Sequence, residues 1–353
     1  MKSIIHIVGN RPQFIKLAVM HRELAKSGVF RQEIIHSGQH FSPSMSDIFF
    51  DELNIPEPDK NLNINQVQTN VFVQLASHAI EQCLRGRPSS DIVFVYGDTN
   101  TTLAAAIAAK KAGLTLVHFE AGVRTQDETM PEEQNRKSAD ALADLNFCCT
   151  SLNYQNMLAE NSRRSDSKAV LNSGDLMLDA FLTLNKPGQR RVTEKNYIAC
   201  TLHRDANVNN ADRLHSIVAA LNSIHAQIPV ILPAHPNTVK RLNQFGCQPG
   251  FRLLEPMGYA DMKRFLSEAD FIITDSGGSS REAYFLGKKS LVLMDRPFWP
   301  EIIAGGCALS AGADQAQILS RFFALPQLTG DFSSALFGDG HAAGKIRTAL
   351  ESI

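Results

Sequence analysis

Three acidic residues in the first half of the chain occupy positions at which a carboxylate could transfer protons. Asp98 and Glu120 each follow a short apolar run within two residues, and Glu132 opens a helical pattern. A carboxylate at the end of a buried strand loses hydration, so it needs a partner or a chemical role. Taken singly, Asp98 could cap a helix and Glu132 could complement a helix dipole. Together, the three acids favour a site for acid–base catalysis.

Basic residues and histidines take comparable positions, where the basic residues could bind an anion and the histidines could have a functional role. Arg11 and Lys16 follow the first apolar run at the start of a predicted helix, where anions are favoured. His203, Arg204 and His235 follow two apolar runs in the second half. The alternative interpretation is solvated surface cations and structurally satisfied histidines, and these residues alone do not decide between the two.

The segment DSGGSSREA, Asp275–Ala283, is the most specific motif, because it follows a buried apolar run and starts a helix. The backbone N–H groups of Ser276, Gly277 and Gly278 are predicted to bind a diphosphate at the positive end of that helix. Glu282 could accept both hydroxyl groups of a ribose, because a carboxylate has two oxygens. A glycine-rich turn without a ligand is the alternative, and the position at a strand end favours the nucleotide.

Short apolar runs alternate with helical patterns along the whole chain. The predicted strands are Ser3–Val8, Gln32–Ser37, Ile92–Tyr96, Leu114–Phe119, Leu145–Cys149, Tyr197–Leu202, Pro229–Pro233, Arg252–Leu254, Phe271–Thr274 and Ser290–Met294. Such continuous apolar blocks are typical of a parallel sheet covered on both faces. Two series of them predict an α/β fold with two Rossmann-like doubly wound domains facing an interdomain cleft. Ligands of such sheets bind beyond the carboxyl ends of the strands, where the residues above lie.

The size and composition of the chain fit this organisation. Its 353 residues, 44% of them hydrophobic, are enough for two domains with separate cores. The formal charge of −1 gives no general attraction to nucleic acid or to an anionic membrane. Six cysteines without a CxxC pair, no apparent signal peptide and no membrane-length apolar run predict a cytoplasmic protein with free thiols and no structural metal.

Nine segments of the chain resemble one protein family. They are GNRPQFIK, SGQHF, MSDIFFDELNI, YGDTNTTLAAA, HFEAGVRT, MPEEQNR, LHR, DSGGSSREA and FLGKK, and they run in order from Gly9 to Lys289. The pattern is similar to that of the non-hydrolysing UDP-N-acetylglucosamine 2-epimerases, which have the glycosyltransferase-B fold. The resemblance covers most of the chain.

The resemblance implies a homodimeric isomerase that acts on a UDP-sugar without a cofactor or metal. With the element pattern, it predicts domains at 1–170 and 171–339 and a last helix at 340–353 that returns to the first domain. It gives acid–base roles to Asp98, Glu120, Glu132 and His203. It places the UDP moiety against Arg11, Lys16, Arg136, Arg204, His235, Ser276, Gly277, Gly278 and Glu282. Gln39 and His40 match a segment that binds a second, activating UDP-sugar in some members.

The expected reaction interconverts UDP-N-acetylglucosamine and UDP-N-acetylmannosamine, precursors of surface polysaccharides. The C2 hydrogen of a hexosamine is not acidic, because no carbonyl group lies beside it. Elimination of UDP across C1–C2, followed by re-addition with protonation of the opposite face, avoids direct deprotonation. This route needs a base, an acid, and cationic or N–H groups for the departing diphosphate. Water must be excluded, because hydrolysis would otherwise compete.

Three positions in the second half depart from the family pattern. Ala206 and Phe298 stand where glutamates are usual, and Met294 stands where an arginine is usual. GNRPQFIK and Trp299 also resemble members that act on a UDP-2,3-diacetamido-glucuronic acid. The open alternatives are that substrate, a hydrolysing epimerase, a glycosyltransferase of the same fold, and a non-catalytic UDP-sugar-binding relative.

Overall fold

The chain forms two compact units, one of which is built from two separate stretches of sequence. Unit 1 contains Met1–Leu184 and Ala335–Ile353, and unit 2 contains Asn185–Ser334. The computed structural model describes residues 2–38, 52–65, 68–163, 165–166, 168–184 and 192–353. Within these ranges, no helix has the length and apolar character needed to cross a membrane.

A parallel sheet of seven strands lies at the centre of unit 1. Its strands are β1 (Lys2–Val8), β2 (Phe30–His36), β3 (Lys60–Asn61), β4 (Ile92–Tyr96), β5 (Thr115–Ala121), β6 (Leu145–Cys148) and β7 (Ala169–Asn172). Their order across the sheet is β3-β2-β1-β4-β5-β6-β7. The order reverses direction between β1 and β4, which makes the carboxyl ends of these two strands the expected ligand position.

The helices of the first stretch cover the sheet of unit 1. They are α1 (Arg11–Ser27), α2 (Thr69–Leu84), α3 (Asn100–Lys111), α4 (Pro131–Leu142), α5 (Ser151–Asn161) and α6 (Leu176–Thr183). Helix α1 begins where the Asn10 side chain accepts a hydrogen bond from the Gln13 N–H, and it ends at Gly28 with a left-handed φ of 64°. The run Ala104–Ala109 in α3 is largely buried, and its small side chains let α3 pack closely between α2 and α4.

Unit 2 repeats the same arrangement with a parallel sheet of six strands. Its strands are β8 (Ile198–Thr201), β9 (Val230–Pro233), β10 (Arg252–Leu254), β11 (Phe271–Thr274), β12 (Ser290–Val292) and β13 (Ala308–Ser310). Its helices are α7 (Asp205–Val208), α8 (Ala211–His225), α9 (Pro236–Gln244), α10 (Tyr259–Glu268), α11 (Gly277–Phe285), α12 (Pro300–Ala304), α13 (Gln315–Ala324) and a 3₁₀ turn at Leu325–Gln327. The order β10-β9-β8-β11-β12-β13 reverses between β8 and β11. The prediction of two Rossmann-like α/β domains is therefore confirmed.

The second stretch of unit 1 adds the final helix, α14 (Ala342–Glu351), which packs against α1 and α6. The buried carboxylate of Asp179 in α6 accepts hydrogen bonds from the N–H groups of Ala342 and Ala343, at 3.1 and 2.8 Å. Residues 171–184, which the sequence pattern placed in the second domain, lie in unit 1 because β7 pairs with β6 and α6 packs on α1.

Candidate active site

Gln13 joins the ends of β1 and β4 at the switch point of unit 1. Its side-chain oxygen accepts a hydrogen bond from the Gly9 N–H at 2.7 Å. Its amide donates to the Tyr96 carbonyl at 2.9 Å and to the hydroxyls of Thr99 and Thr102. The side chain is fully buried, so these bonds replace water and hold the two strand ends in register.

An ion pair between Lys16 of α1 and Glu120 of β5 lies beside this junction. The side chain of Lys16 is 4% exposed and that of Glu120 is 14% exposed, so the pair is largely withdrawn from water. Glu120 has a φ of 73° and occupies a register irregularity between Phe119 and Ala121, where β5 pairs with β6. A non-glycine residue in this conformation costs about 1–3 kcal/mol, and such strain is concentrated at functional sites.

A second charged cluster joins Asp98 to helix α4. Arg136 pairs with both Asp98 and Glu133, and its side chain is 1% exposed. Glu133 is fully buried and also accepts hydrogen bonds from the Thr125 N–H at 3.0 Å and hydroxyl at 2.9 Å. Asp98 lies at the outer end of the cluster, and its side chain is 27% exposed. The arrangement holds one carboxylate toward solvent and keeps its partner cation rigid.

The protonation of this cluster follows from its partners. Burial works against ionisation of Glu133, but the Thr125 N–H and the Arg136 guanidinium outweigh it and hold the pKa of Glu133 below 4.5. Burial likewise works against the charged form of Arg136, but Asp98 and Glu133 outweigh it and raise the pKa of Arg136. Glu133 and Arg136 are therefore both charged near neutral pH.

Asp275 organises the switch point of unit 2. Its buried carboxylate accepts hydrogen bonds from the N–H groups of His203 and Arg204, at 3.1 and 2.9 Å. It also accepts from the Asn207 amide at 3.2 Å. Because β8 and β11 are neighbours in the sheet, this residue fixes the chain after β8 relative to the start of α11.

Two aromatic side chains, Phe298 and Trp299, contact the start of α11. Ser276 caps this helix by accepting from the Ser279 N–H at 3.3 Å, and the helix begins with Gly277 and Gly278. The Trp299 indole N–H donates to the Gly277 carbonyl at 2.9 Å. The Arg204 guanidinium lies 4.7 Å from the centroid of the Phe298 ring, a cation–π arrangement that directs this cation.

The departures at Met294 and Phe298 thus surround Arg204. The Met294 sulfur lies 3.8 Å from Arg204 Nη1, and the Phe298 ring packs on Gly277. Ala206 lies in the short helix α7, directly before the Asn207 that bonds Asp275. All three departures therefore lie close to the residues that shape one switch point.

Replacing Gly277 with alanine is expected to destabilise the protein by about 1–3 kcal/mol, because a Cβ there would lie 2.7 Å from Phe298 Cδ2. Gly278→Ala is the matched control: its Cβ would meet only Ser276 Oγ at an ordinary 3.5 Å. Urea unfolding of the two variants and of Gly277→Ala with Phe298→Ala measures the effect, and the double variant is expected to recover stability. Equal stability of the two single variants would contradict the contact.

The remaining predicted residues lie near these two switch points, in their separate units. Arg11 is the first residue of α1 and Glu132 lies in the first turn of α4, and both are half-buried. The His203 side chain is 52% exposed, with Nδ1 3.6 Å from Asp275. His235 caps α9 through Nδ1, and burial together with His203 lowers its pKa. Glu282 is half-buried in α11. Gln39 and His40 lie outside the described residues.

The sequence patterns do not indicate that Gln13, Glu133 and Asp275 belong to the site. One signal was present in α4, where Glu133, Arg136 and Asp140 recur at three- and four-residue intervals and are all buried. Charged residues spaced along one helical face are neighbours, and burial of all three requires partners from other elements. Gln13 and Asp275 gave no comparable signal, because most of their partners lie far away in the sequence.

Two doubly wound units, each with ordered charged groups at its switch point, define an α/β enzyme of the nucleotide-binding type. A family model described as UDP-N-acetylglucosamine 2-epimerase matches residues 22–351. The chain therefore belongs to the UDP-N-acetylglucosamine 2-epimerase family, as its motifs predicted, and is an epimerase, hence an isomerase.

Individual relatives agree with this membership. The chain is 35% identical to the UDP-2,3-diacetamido-2,3-dideoxy-D-glucuronate 2-epimerase of Pseudomonas aeruginosa, over 99% of this chain and 100% of that protein. It is 34% identical to a UDP-N-acetylglucosamine 2-epimerase of Methanococcus maripaludis, over 98% and 97%. It is similar to the crystal structure of the Methanocaldococcus jannaschii UDP-GlcNAc 2-epimerase in complex with UDP-GlcNAc and UDP. That comparison has a TM-score of 0.91 and 31% identity, over 99% of this chain and 100% of that one.

Proposed function

We propose that this chain interconverts UDP-N-acetylglucosamine and UDP-N-acetylmannosamine. The observation that carries the proposal is the Lys16–Glu120 pair, in which a largely buried carboxylate is held in a strained backbone conformation at a strand end. The M. maripaludis and M. jannaschii relatives bear the name of this activity, and the M. jannaschii structure contains UDP-GlcNAc and UDP. These similarities support a UDP-sugar as the partner of this chain.

The proposed mechanism gives proton transfer to unit 1. Glu120 removes the C2 hydrogen as the C1–O bond to UDP breaks, which leaves a 2-acetamidoglucal and UDP. The electrons of the C–H bond form the C1–C2 double bond, and the diphosphate takes the negative charge. Re-addition of UDP with protonation at the other face inverts C2, and Asp98 and Glu132 are the proposed acids. Lys16 pairs with Glu120 and thereby orients its carboxylate.

Nucleotide binding is the proposed role of unit 2. Gly277 and Gly278 start α11, where backbone N–H groups and the helix dipole favour a diphosphate. Arg204, held over Phe298, adds a cation. Glu282 is the proposed partner of the ribose hydroxyls, and His203 assists the departure of UDP.

A second candidate substrate is a UDP-2,3-diacetamido-2,3-dideoxy-D-glucuronate. The P. aeruginosa relative, at 35% identity over nearly the whole chain, bears the name of a 2-epimerase for this sugar. The departures at Met294 and Phe298 also change the surroundings of Arg204. Both candidates undergo the same chemistry at C2, so the assignment of residue roles is the same for both.

Proton NMR of each UDP-sugar with the enzyme in deuterated water tests the proposal. The expected result is loss of the C2 proton signal and appearance of the C2 epimer, without accumulation of free UDP. Deuterium incorporation with the diacetamido sugar alone would select the second candidate. Release of UDP in step with sugar consumption would show a hydrolysing enzyme. UDP-sugar binding without exchange of the C2 hydrogen would show that the protein binds the sugar but does not catalyse epimerisation.

A further inference from the structure

His118 is a histidine of β5 that the proposed proton transfer does not use. Its side chain is fully buried, with Nδ1 2.8 Å from Asp140 Oδ1 and Nε2 2.7 Å from the Gly97 carbonyl oxygen. A carboxylate oxygen and a peptide carbonyl oxygen only accept hydrogen bonds. Each ring nitrogen must therefore carry a hydrogen to satisfy its partner. The form of His118 that makes both bonds is the imidazolium.

The surroundings of His118 balance this buried charge. Asp140 Oδ2 lies 2.7 Å from Arg124 Nη2 and accepts a hydrogen bond from the Gly122 N–H at 3.1 Å. Burial works against ionisation of Asp140, but Arg124 and His118 outweigh it and lower its pKa, so the carboxylate stays charged. Arg124 is in turn paired with Glu160 of α5 at 2.7 Å. Two cations and two anions make the network neutral, which offsets the burial of His118, Asp140 and Arg124; Glu160, at its outer end, is 44% exposed.

One further titratable group faces the network from β6. It is the Cys148 thiol, and burial together with Asp140 raises its pKa, so it stays neutral. It therefore adds no charge that would disturb the balance around His118.

The two hydrogen atoms of the imidazolium hold the two turns that carry the proposed acid Asp98 and the proposed base Glu120. Gly97, whose carbonyl accepts one of them, has a left-handed φ of 65° and directly precedes Asp98. Asp140, which accepts the other, also holds the N–H of Gly122, two residues after Glu120. We propose that His118 is a positioning residue, held as an imidazolium, that fixes the turns carrying Asp98 and Glu120. This inference rests on the proposed function.

The first test observes protonation directly in the full-length protein. Nitrogen-15 NMR of histidine-labelled enzyme at about pH 8, above the ordinary histidine pKa of about 6.5, is expected to show both nitrogens of His118 bonded to hydrogen. His6 is the internal comparison: it is equally buried in β1, and burial lowers its pKa to about 3. His6 is therefore expected to show one bare nitrogen. A bare nitrogen at His118 would overturn the proposal.

The second test separates positioning from mere stability. His118→Asn has an amide that can donate toward one partner only, so one of the two turns loses its anchor. We expect kcat to fall about 100-fold with little change in KM, because displacement of a reacting group by about 1 Å costs that much. His6→Asn removes a histidine of equal burial without a bond to either turn, and its kcat is expected to stay near that of the wild type.

A wild-type kcat in His118→Asn would also overturn the proposal. If that variant fails to fold, the NMR measurement on the wild-type protein decides, with His118 assigned through its backbone. The NMR result needs no substrate. Failure of the proposed epimerisation and failure of the positioning role are therefore separate observations.

Discussion

Replacing Glu120 with glutamine is expected to lower the rate of C2 hydrogen exchange by about 1,000-fold, the scale of a lost general base. The amide has nearly the shape of the carboxylate but cannot accept a proton, and it removes the charge that pairs with Lys16. Deuterium incorporation into the UDP-sugar, followed by NMR, measures the loss. Circular dichroism of the variant checks that the fold is kept.

The matched control for this experiment is Glu128→Gln. Glu128 belongs to the same unit, and its carboxylate is exposed and bonded to the surface residues Lys137 and Gln134. We expect exchange in this variant at the wild-type rate, because its charge is screened by solvent. If Glu120→Gln also exchanged at the wild-type rate, Glu120 would have no part in breaking the C2–H bond.

Replacing Arg136 with methionine is expected to destabilise unit 1 by about 3–5 kcal/mol. This is the usual cost of removing one partner of a buried ion pair and leaving the other charge without compensation. Glu133 would then keep its charge with 0% exposure, the Thr125 and Gln126 hydrogen bonds, and a longer ion pair with Lys137 at 3.8 Å. Asp98 would lose its partner as well, so activity is expected to fall together with stability. Urea denaturation of the full-length protein measures the change.

Lys26→Met provides the control, because Lys26 pairs only with Glu23 among the described residues of unit 1 and its side chain is 66% exposed. Its effect is expected to stay below about 1 kcal/mol. A pH series adds a second criterion. Since the pKa of folded Glu133 lies below 4.5, its ionisation stabilises the fold fully above that pH, and the contribution is lost as the pH falls through the folded value. The Arg136→Met penalty should therefore shrink in acid, and a penalty that is constant with pH would place its origin elsewhere.

The central strands of both sheets and the edge strand β10 (Arg252–Leu254) could be predicted from sequence, whereas the edge strands β3, β7 and β13 could not. The predictions Ile92–Tyr96 and Phe271–Thr274 agree with β4 and β11 to the residue, because strands buried on both faces are unbroken apolar runs. β7 (Ala169–Asn172) was missed, because it is an edge strand that is largely exposed. Its identity as a strand depends on pairing with β6, which its own sequence does not encode.

The proposed site was likewise only partly predictable from sequence. Asp98 and Glu120 were found because a charged residue after an apolar run is visible in sequence. The partner of Asp98, Arg136, is 38 residues away, and the partner of Glu120, Lys16, is 104 residues away. Neither pairing follows from local pattern. The strained conformation of Glu120 was also invisible, because it arises from the register irregularity of β5 against β6.

The division of unit 1 into two stretches has a consequence for how the protein is made. The ribosome delivers all of Asn185–Ser334 before it delivers Ala335–Ile353. Asp179 is therefore synthesised 163 and 164 residues before the N–H groups of Ala342 and Ala343 that it binds. Until α14 is synthesised, the surfaces of α1 and α6 that it covers in the folded protein are exposed on the nascent chain. Chaperone demand should therefore centre on the part of the protein that is synthesised first.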